Sequence, residues 1–227
     1  MLHLFLKGGP VMWPLLVASI VSLTVVIERI FFVLIQKSNE TPELRKKMLF
    51  AVESGQFQRA AAMGEGSKDS IVNILTNGLK HRELLTTTLM ASASDELKKY
   101  SRGISILDTI ITLAPLLGLL GTVTGMIRAF GLLGVQELET PSVITGGIAE
   151  ALIATAFGLG IAIFSLVPFN WLNAYVDNVR HQMEKAGSVL EVLVAKTTNK
   201  TSLEKEQESE TKQLYETSPR VQTSRSN

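Results

Sequence analysis

Apolar residues fall in three long blocks, separated by polar stretches whose apolar positions recur at helical spacing. The first block, residues 11–35, opens VMWPLLVASIVSLTVVI and is interrupted only by Glu28 and Arg29 before IFFVLI. The second, 104–130, is uncharged from Thr109 to Ile127, between Asp108 and Arg128. The third, 144–170, reads ITGGIAEALIATAFGLGIAIFSLVPFN and holds one carboxylate, Glu150, near its start. About 20 apolar residues at 1.5 Å rise cross a bilayer core of roughly 30 Å, so each block predicts a transmembrane helix. The first is longer than the apolar region of a signal peptide and runs into more bulky apolar residues, which predicts an uncleaved span. Pro14 falls in its first turn, where a missing N–H costs little. Trp13, and Asn170, Trp171 and Tyr175 at the end of the third block, suit a membrane surface.

The polar stretches predict further helices. Residues 1–10 form a short N-terminal segment with Lys7, broken by Gly8, Gly9 and Pro10. Within 36–103, Thr41-Pro42-Glu43 is a start signal: Thr41 can cap, Pro42 takes the first position, and Glu43 suits the positive end of the dipole. Leu44, Met48 and Val52 share a face, and Gly55 divides this region into a helix pair. Ile71, Ile74, Leu75 and Leu79 predict a helix over 70–80. From Thr86 onward no break is evident before the second apolar block, so one continuous helix from water into membrane is expected. A connector, 131–143, carries Glu137 and Glu139. After the third span an amphipathic helix is expected over 171–196. The tail, 197–227, has too few apolar residues to bury a core and is expected to be disordered. The fold class is therefore all-α: three spans with long helices extending into a helical cytoplasmic domain.

Composition narrows the function. Net charge is only +1 and no basic field favours nucleic acid. There is no cysteine, which removes thiol chemistry and disulfides, and the three histidines lie far apart, which argues against a metal site. No acid–base pair or nucleophile–base arrangement supports an enzyme, and no cofactor motif is present. Segment 36–103 holds eleven Lys or Arg, the connector none, and the region after Tyr175 eight. Basic residues stay inside, which predicts a cytoplasmic loop and C-terminus and a periplasmic N-terminus and connector.

The candidate chemistry lies in the spans. Small residues at helical spacing, Gly118, Gly121 and Gly125 in the second and Gly147, Ala151, Ala154 and Gly158 in the third, form faces on which helices pack closely in lipid. Glu150 would cost roughly 2.5–3.5 kcal/mol at mid-bilayer, so it is expected to face a cavity or another protein group, with a snorkelling acid as the alternative. Thr122 and Thr155 lie deeper. A hydroxyl there can order water or relay a proton, or bond its own helix carbonyl. Such a lining has no central titratable group. A proton path through it would need a carboxylate from another polypeptide.

The patterns LAPLLGLLGTVTGMIRAF (Leu113–Phe130) and GGIAEALIATAFGLGIAIFSLVPFN (Gly146–Asn170) resemble the two signature spans of the MotA/TolQ/ExbB proton channel family, most closely its ExbB and TolQ branch. The Glu28-Arg29 pair is similar as well. The resemblance implies a ring, usually a pentamer, whose second and third spans line a pore around two copies of a single-span ExbD- or TolR-like partner with a membrane Asp. It implies that Thr122 and Thr155 are pore threonines and Glu150 the family's buried acid. It further implies that proton motive force drives work through a TonB-like or TolA-like protein at the bacterial inner membrane. The short N-terminal segment, the long tail and Thr124 depart from the family pattern. A flagellar stator, with four spans and a larger cytoplasmic domain, fits less well. A passive membrane scaffold that moves no ions remains the alternative from another class.

Overall fold

The computed structural model describes residues 8–131 and 141–217; residues 1–7, most of the connector (132–140) and the end of the tail (218–227) lie outside it. The described chain is helical: α1 Met12–Ser38, α2 Pro42–Glu53, α3 Phe57–Met63, α4 Ser70–Lys80, a 3-10 turn Arg82–Leu84, α5 Leu85–Ser101, α6 Ile104–Gly131 and α7 Pro141–Thr217. It divides into an apolar unit, residues 8–39 and 95–181, and a polar unit, residues 40–94 and 182–217.

In the apolar unit, α1, α6 and the part of α7 that starts at Thr145 are each long and apolar enough to cross a membrane, with mean hydropathies of 2.2, 2.0 and 2.2. Only 28%, 28% and 22% of their most apolar windows are buried within the protomer, so most of this surface is left for lipid or other polypeptides. The internal contact is a seam of Val11, Met12, Leu15 and Ala18 from α1 against Ile110 and Ala114 of α6 and Ala154 of α7, flanked by Leu117, Phe157 and Ile161. Ser22 and Ser165 share a buried 2.6 Å hydrogen bond. Because the Ser165 hydroxyl donates to the Ile161 carbonyl at 2.8 Å, Ser22 is the donor in this pair, which satisfies the Ser22 hydroxyl in an apolar setting.

Helices α6 and α7 meet through glycine. A Cβ on Gly158 would lie 2.5 Å from the Ala114 carbonyl oxygen, one on Gly118 3.0 Å from Thr155 Cα, and one on Gly147 2.7 Å from Ala129 Cβ. Gly125 faces Ala151 at 2.9 Å, and Gly121 has no room for a Cβ beside Ala154. Pro115 sits inside α6 without ending it.

Two expectations are corrected here. The helix expected to run unbroken from Thr86 through the second span is divided at Gly103, whose φ is +78°. Glycine reaches this left-handed conformation without a Cβ penalty. Buried Arg29, held by Glu28, donates to the Lys99 carbonyl at 3.0 Å, satisfying one of the last carbonyls of α5. The guanidinium also lies 4.9 Å from the centre of the Phe32 ring. Second, the third span, the following helix and the first part of the tail are one element, which starts at Pro141 and runs on through Thr217. Past Thr197 this stretch has no glycine or proline before Pro219 and is rich in Glu, Lys and Gln, which are good helix formers. Low apolar content removed a core, not a helix.

The polar unit is organised by Asp69, whose side chain is only 1% exposed. Asp69 caps α4 by accepting from the N–H groups of Ile71 (3.0 Å) and Val72 (3.4 Å). It also accepts twice from Arg45 at 2.8 Å and from the N–H and hydroxyl of Thr41. Thr41 therefore does not cap α2 with its side chain, as its position had led us to expect; it serves Asp69 instead. Gly55, with φ +77°, turns the chain between α2 and α3. Met48, Val52, Ile71, Ile74, Leu75 and Leu79 are buried, the faces that their spacing marks.

Burial pushes the Asp69 carboxyl up, but the bonds from Arg45, Thr41 and Ile71 outweigh it and hold the group below its ordinary value. Its stabilisation is thus complete above the unfolded carboxylate value of about 3.9 and is lost as pH falls through the lower folded value. Asp69→Ala is expected to destabilise this unit by about 3 kcal/mol, because Arg45 is left partly buried without its partner. Unfolding of the full chain in detergent, followed by circular dichroism, measures this; a wild-type curve would remove Asp69 as the organiser.

Candidate functional site

Glu150 sits in the early turns of α7, and its carboxylate is enclosed by three elements. Arg128, near the end of α6, donates to Glu150 Oε1 at 3.0 Å. Gly9, just before α1, presses its backbone against the carboxylate: its φ is +73° and a Cβ there would collide with Oε1. The Glu150 side chain is 27% exposed and that of Arg128 52%. The acid therefore faces a protein group, as its membrane cost requires. That group is a cation at the same end of the hairpin. An antiparallel pair of spans brings the last turn of one beside the first turns of the next, so an Arg after one span and a Glu early in the following one were legible as candidates for pairing.

The two threonines are used differently. Thr155 is half-buried and donates across the helix interface to the Gly118 carbonyl at 2.9 Å. Closeness permits this bond: Gly118 and Gly158 carry no side chains to hold the backbones apart. Thr122 instead donates back to Leu119 of its own helix at 2.7 Å, and Thr124 to Leu120 and Gly121. Thr122 borders a shallow surface groove with Val123, Met126, Ile127 and Phe130. No hydrogen bond joins Thr122, Thr155 and Glu150 to one another among the described residues. The structure brings the small residues Gly118, Gly121, Gly125, Gly147, Ala151 and Gly158 into the single α6–α7 contact that carries Thr155 and ends at Glu150.

Spacing alone left three partners unassigned: Arg128, the Ser22–Ser165 pair, and Arg29 with the Lys99 carbonyl. The serines gave no signal, since single hydroxyls in apolar helices usually bond their own backbone. Among the described residues no group of His, Cys, Asp or Glu could hold a metal ion.

Three apolar spans, two of them joined through glycine and bearing a hydroxyl and an ion pair along the joint, are the architecture of a polytopic membrane protein with a polar seam. The sequence profile of the MotA/TolQ/ExbB proton channel family matches residues 63–185. The chain belongs to that family. It is 40% identical over 200 residues to the ExbB-like 1 biopolymer transport protein of Synechocystis sp., covering 83% of this chain and 77% of that one. It is 32% identical over 191 residues to ExbB-like 3 of the same organism, covering 81% and 90%. A biopolymer transport protein ExbB of Pseudomonas putida is 34% identical over 121 residues, 52% of this chain and 36% of that one. The resemblance to the ExbB-like branch holds, and the protein is a multi-pass membrane protein of a channel and transport family.

Proposed function

We propose that this chain is the ring-forming subunit of an inner-membrane proton-driven motor of the ExbB–ExbD type, which energises TonB-dependent transport at the outer membrane. The N-terminus and connector lie in the periplasm, and segment 36–103 and the C-terminus in the cytoplasm. Several copies, five by family resemblance, surround a path lined by α6 and α7, with Thr122 and Thr155 on the path and Glu150 at its outer end.

The observation that carries this reading is the seam itself. It offers the Thr155 hydroxyl and the Gly118 carbonyl that it bonds in the middle of the spans, while residues 109–127 and 151–176 contain no Asp, Glu, Lys or Arg. Hydroxyls pass protons only as relays, since they do not titrate near neutral pH. A group that takes up and releases the proton at the middle of the spans must come from another polypeptide, and an ExbD-like single-span protein with a membrane carboxylate has the needed chemistry. A proton crossing carries about 2.3 kcal/mol per 100 mV, enough to drive a conformational step.

Native mass spectrometry of the complex, extracted from its own membranes in mild detergent, tests this. A ring of five chains with two copies of a small single-span protein is expected; a ring that never contains one, even after crosslinking in cells, overturns the reading in favour of a scaffold. Glu150 offers a second test. A part-exposed ion pair contributes about 1 kcal/mol or less, so Glu150→Gln leaves the ring intact while energy-coupled outer-membrane uptake falls. Undiminished uptake would make Glu150 a snorkelling acid.

A further inference from the structure

We propose that Asp108 is a proton-carrying carboxylate at the inner mouth of the path, through which protons leave for the cytoplasm. The inference rests on the proton-channel reading above and adds a titratable group of this chain's own.

Helix α6 buries Ile104, Leu107, Ile110, Ala114, Gly118, Gly121, Gly125 and Ala129. On the opposite side, at its inner end, Ser105, Asp108, Thr109 and Thr112 form an exposed polar face within an apolar span. Asp108 stands about 6 Å beyond the start of the helix, and the polar face continues to Thr112, about 12 Å in. An acid that only anchors a helix to the headgroups needs no polar face running a turn deeper than itself. The one-methylene side chain of aspartate also reaches toward the surface less far than any longer charged residue.

The threonine hydroxyls of its own helix do not satisfy it. Thr109 donates its hydroxyl proton to the Ser105 carbonyl at 2.9 Å, and Thr112 donates to the carbonyls of Thr109 (2.9 Å) and Asp108 (3.2 Å). Each hydroxyl has one proton to give, so neither has a donor left for the carboxylate. Among the described residues the Asp108 carboxylate makes no hydrogen bond or ion pair. Of the charges at this end, Glu28 pairs with Arg29 on α1, Lys98 with Asp95 and Lys99 with Glu96 on α5, and Arg180 with Asp177 on α7, while Arg102, in the turn before α6, makes no ion pair among the described residues. A carboxylate facing lipid costs roughly 2.5–3.5 kcal/mol at the centre of a span and less near its end, where Asp108 stands. Water in a path, or a proton, removes that cost. The threonine oxygens beside it retain lone pairs and can accept from the same water. The step is balanced: the carboxylate takes one proton from water on the path side and becomes the neutral acid, then releases one proton to water on the cytoplasmic side and returns to the anion.

The test uses the whole complex purified from its membranes, with whatever companion it carries, reconstituted in liposomes under a proton gradient. Asp108→Asn is expected to lower proton flux by about a hundredfold, the scale of a lost acid–base group, and Asp108→Glu to restore most of it. Dicyclohexylcarbodiimide, which adds to protonated carboxyls in apolar surroundings, is expected to modify the peptide carrying Asp108 in the unsubstituted complex. Wild-type flux in Asp108→Asn, or no adduct at Asp108, overturns the inference while leaving the channel standing. If the unsubstituted complex conducts no protons, the channel reading itself falls. Should Asp108→Asn fail to assemble, the adduct and the Asp108→Glu flux decide.

Discussion

Gly158→Ala is expected to push α6 and α7 apart and lower the stability of the apolar unit by about 1–3 kcal/mol, the scale of an overpacked core. The added methyl would stand 2.5 Å from the Ala114 carbonyl oxygen and 3.1 Å from Gly118 Cα. Both are backbone atoms, so no side-chain rotation relieves the collision. The helices must separate, and the Thr155–Gly118 bond, now 2.9 Å, lengthens with them. Gly160→Ala and Gly146→Ala are the controls, because nothing lies within 4 Å of the methyl at either site. Thermal melting of the purified protein in detergent, with the three variants side by side, reads the difference. Equal melting of Gly158→Ala and Gly160→Ala would mean that the glycine contact does not hold the two spans.

Thr155→Val is expected to abolish proton-driven transport while costing little stability. Valine keeps the size of threonine and removes the hydroxyl. An interhelical hydrogen bond in a membrane protein contributes about 0.6 kcal/mol on average, so the ring survives its loss. The Gly118 carbonyl keeps its second lone pair and its helix, but the seam loses a hydroxyl that reaches from α7 to α6. Thr155→Ser, which retains that hydroxyl, is expected to keep most activity. Proton flux into liposomes and energy-coupled uptake in cells are the paired readouts. A scaffold would tolerate Thr155→Val fully, and full activity in both assays would remove Thr155 from the path. Thr122→Val is expected to have the smaller effect on packing, because the Thr122 hydroxyl bonds only its own helix.

Much of this architecture is legible along the chain, for reasons that differ by element. The three spans are visible because apolar length alone decides whether a helix can cross a bilayer. Helix α4 is visible because Ile71, Ile74, Leu75 and Leu79 repeat at helical spacing. Its cap, Asp69, was not read from the sequence although it stands just before that run, and neither were its bonds to Thr41 and Arg45. The break at Gly103 escaped because isolated glycines occur throughout these helices, and only the backbone shows which one is left-handed. Thr122 and Thr155 look alike in sequence. Their divergence depends on which carbonyl lies within reach once the helices have packed.

By itself, then, the sequence determined the number of helices long and apolar enough to cross a membrane, the small-residue faces on two of them, the absence of charge at the centres of those two, and the family. Each of these follows from local composition and periodicity, where neighbours in the chain are enough. Tertiary structure alone decided that Glu150 faces Arg128 and Gly9, that Thr155 bridges to Gly118 while Thr122 does not, and that Asp108 stays on the exposed side of α6 with no side-chain partner among the described residues. Those outcomes turn on distances of a few ångströms between residues 22 to 141 positions apart. Such distances are set by how far glycine lets two backbones approach, a quantity that no stretch of sequence contains on its own.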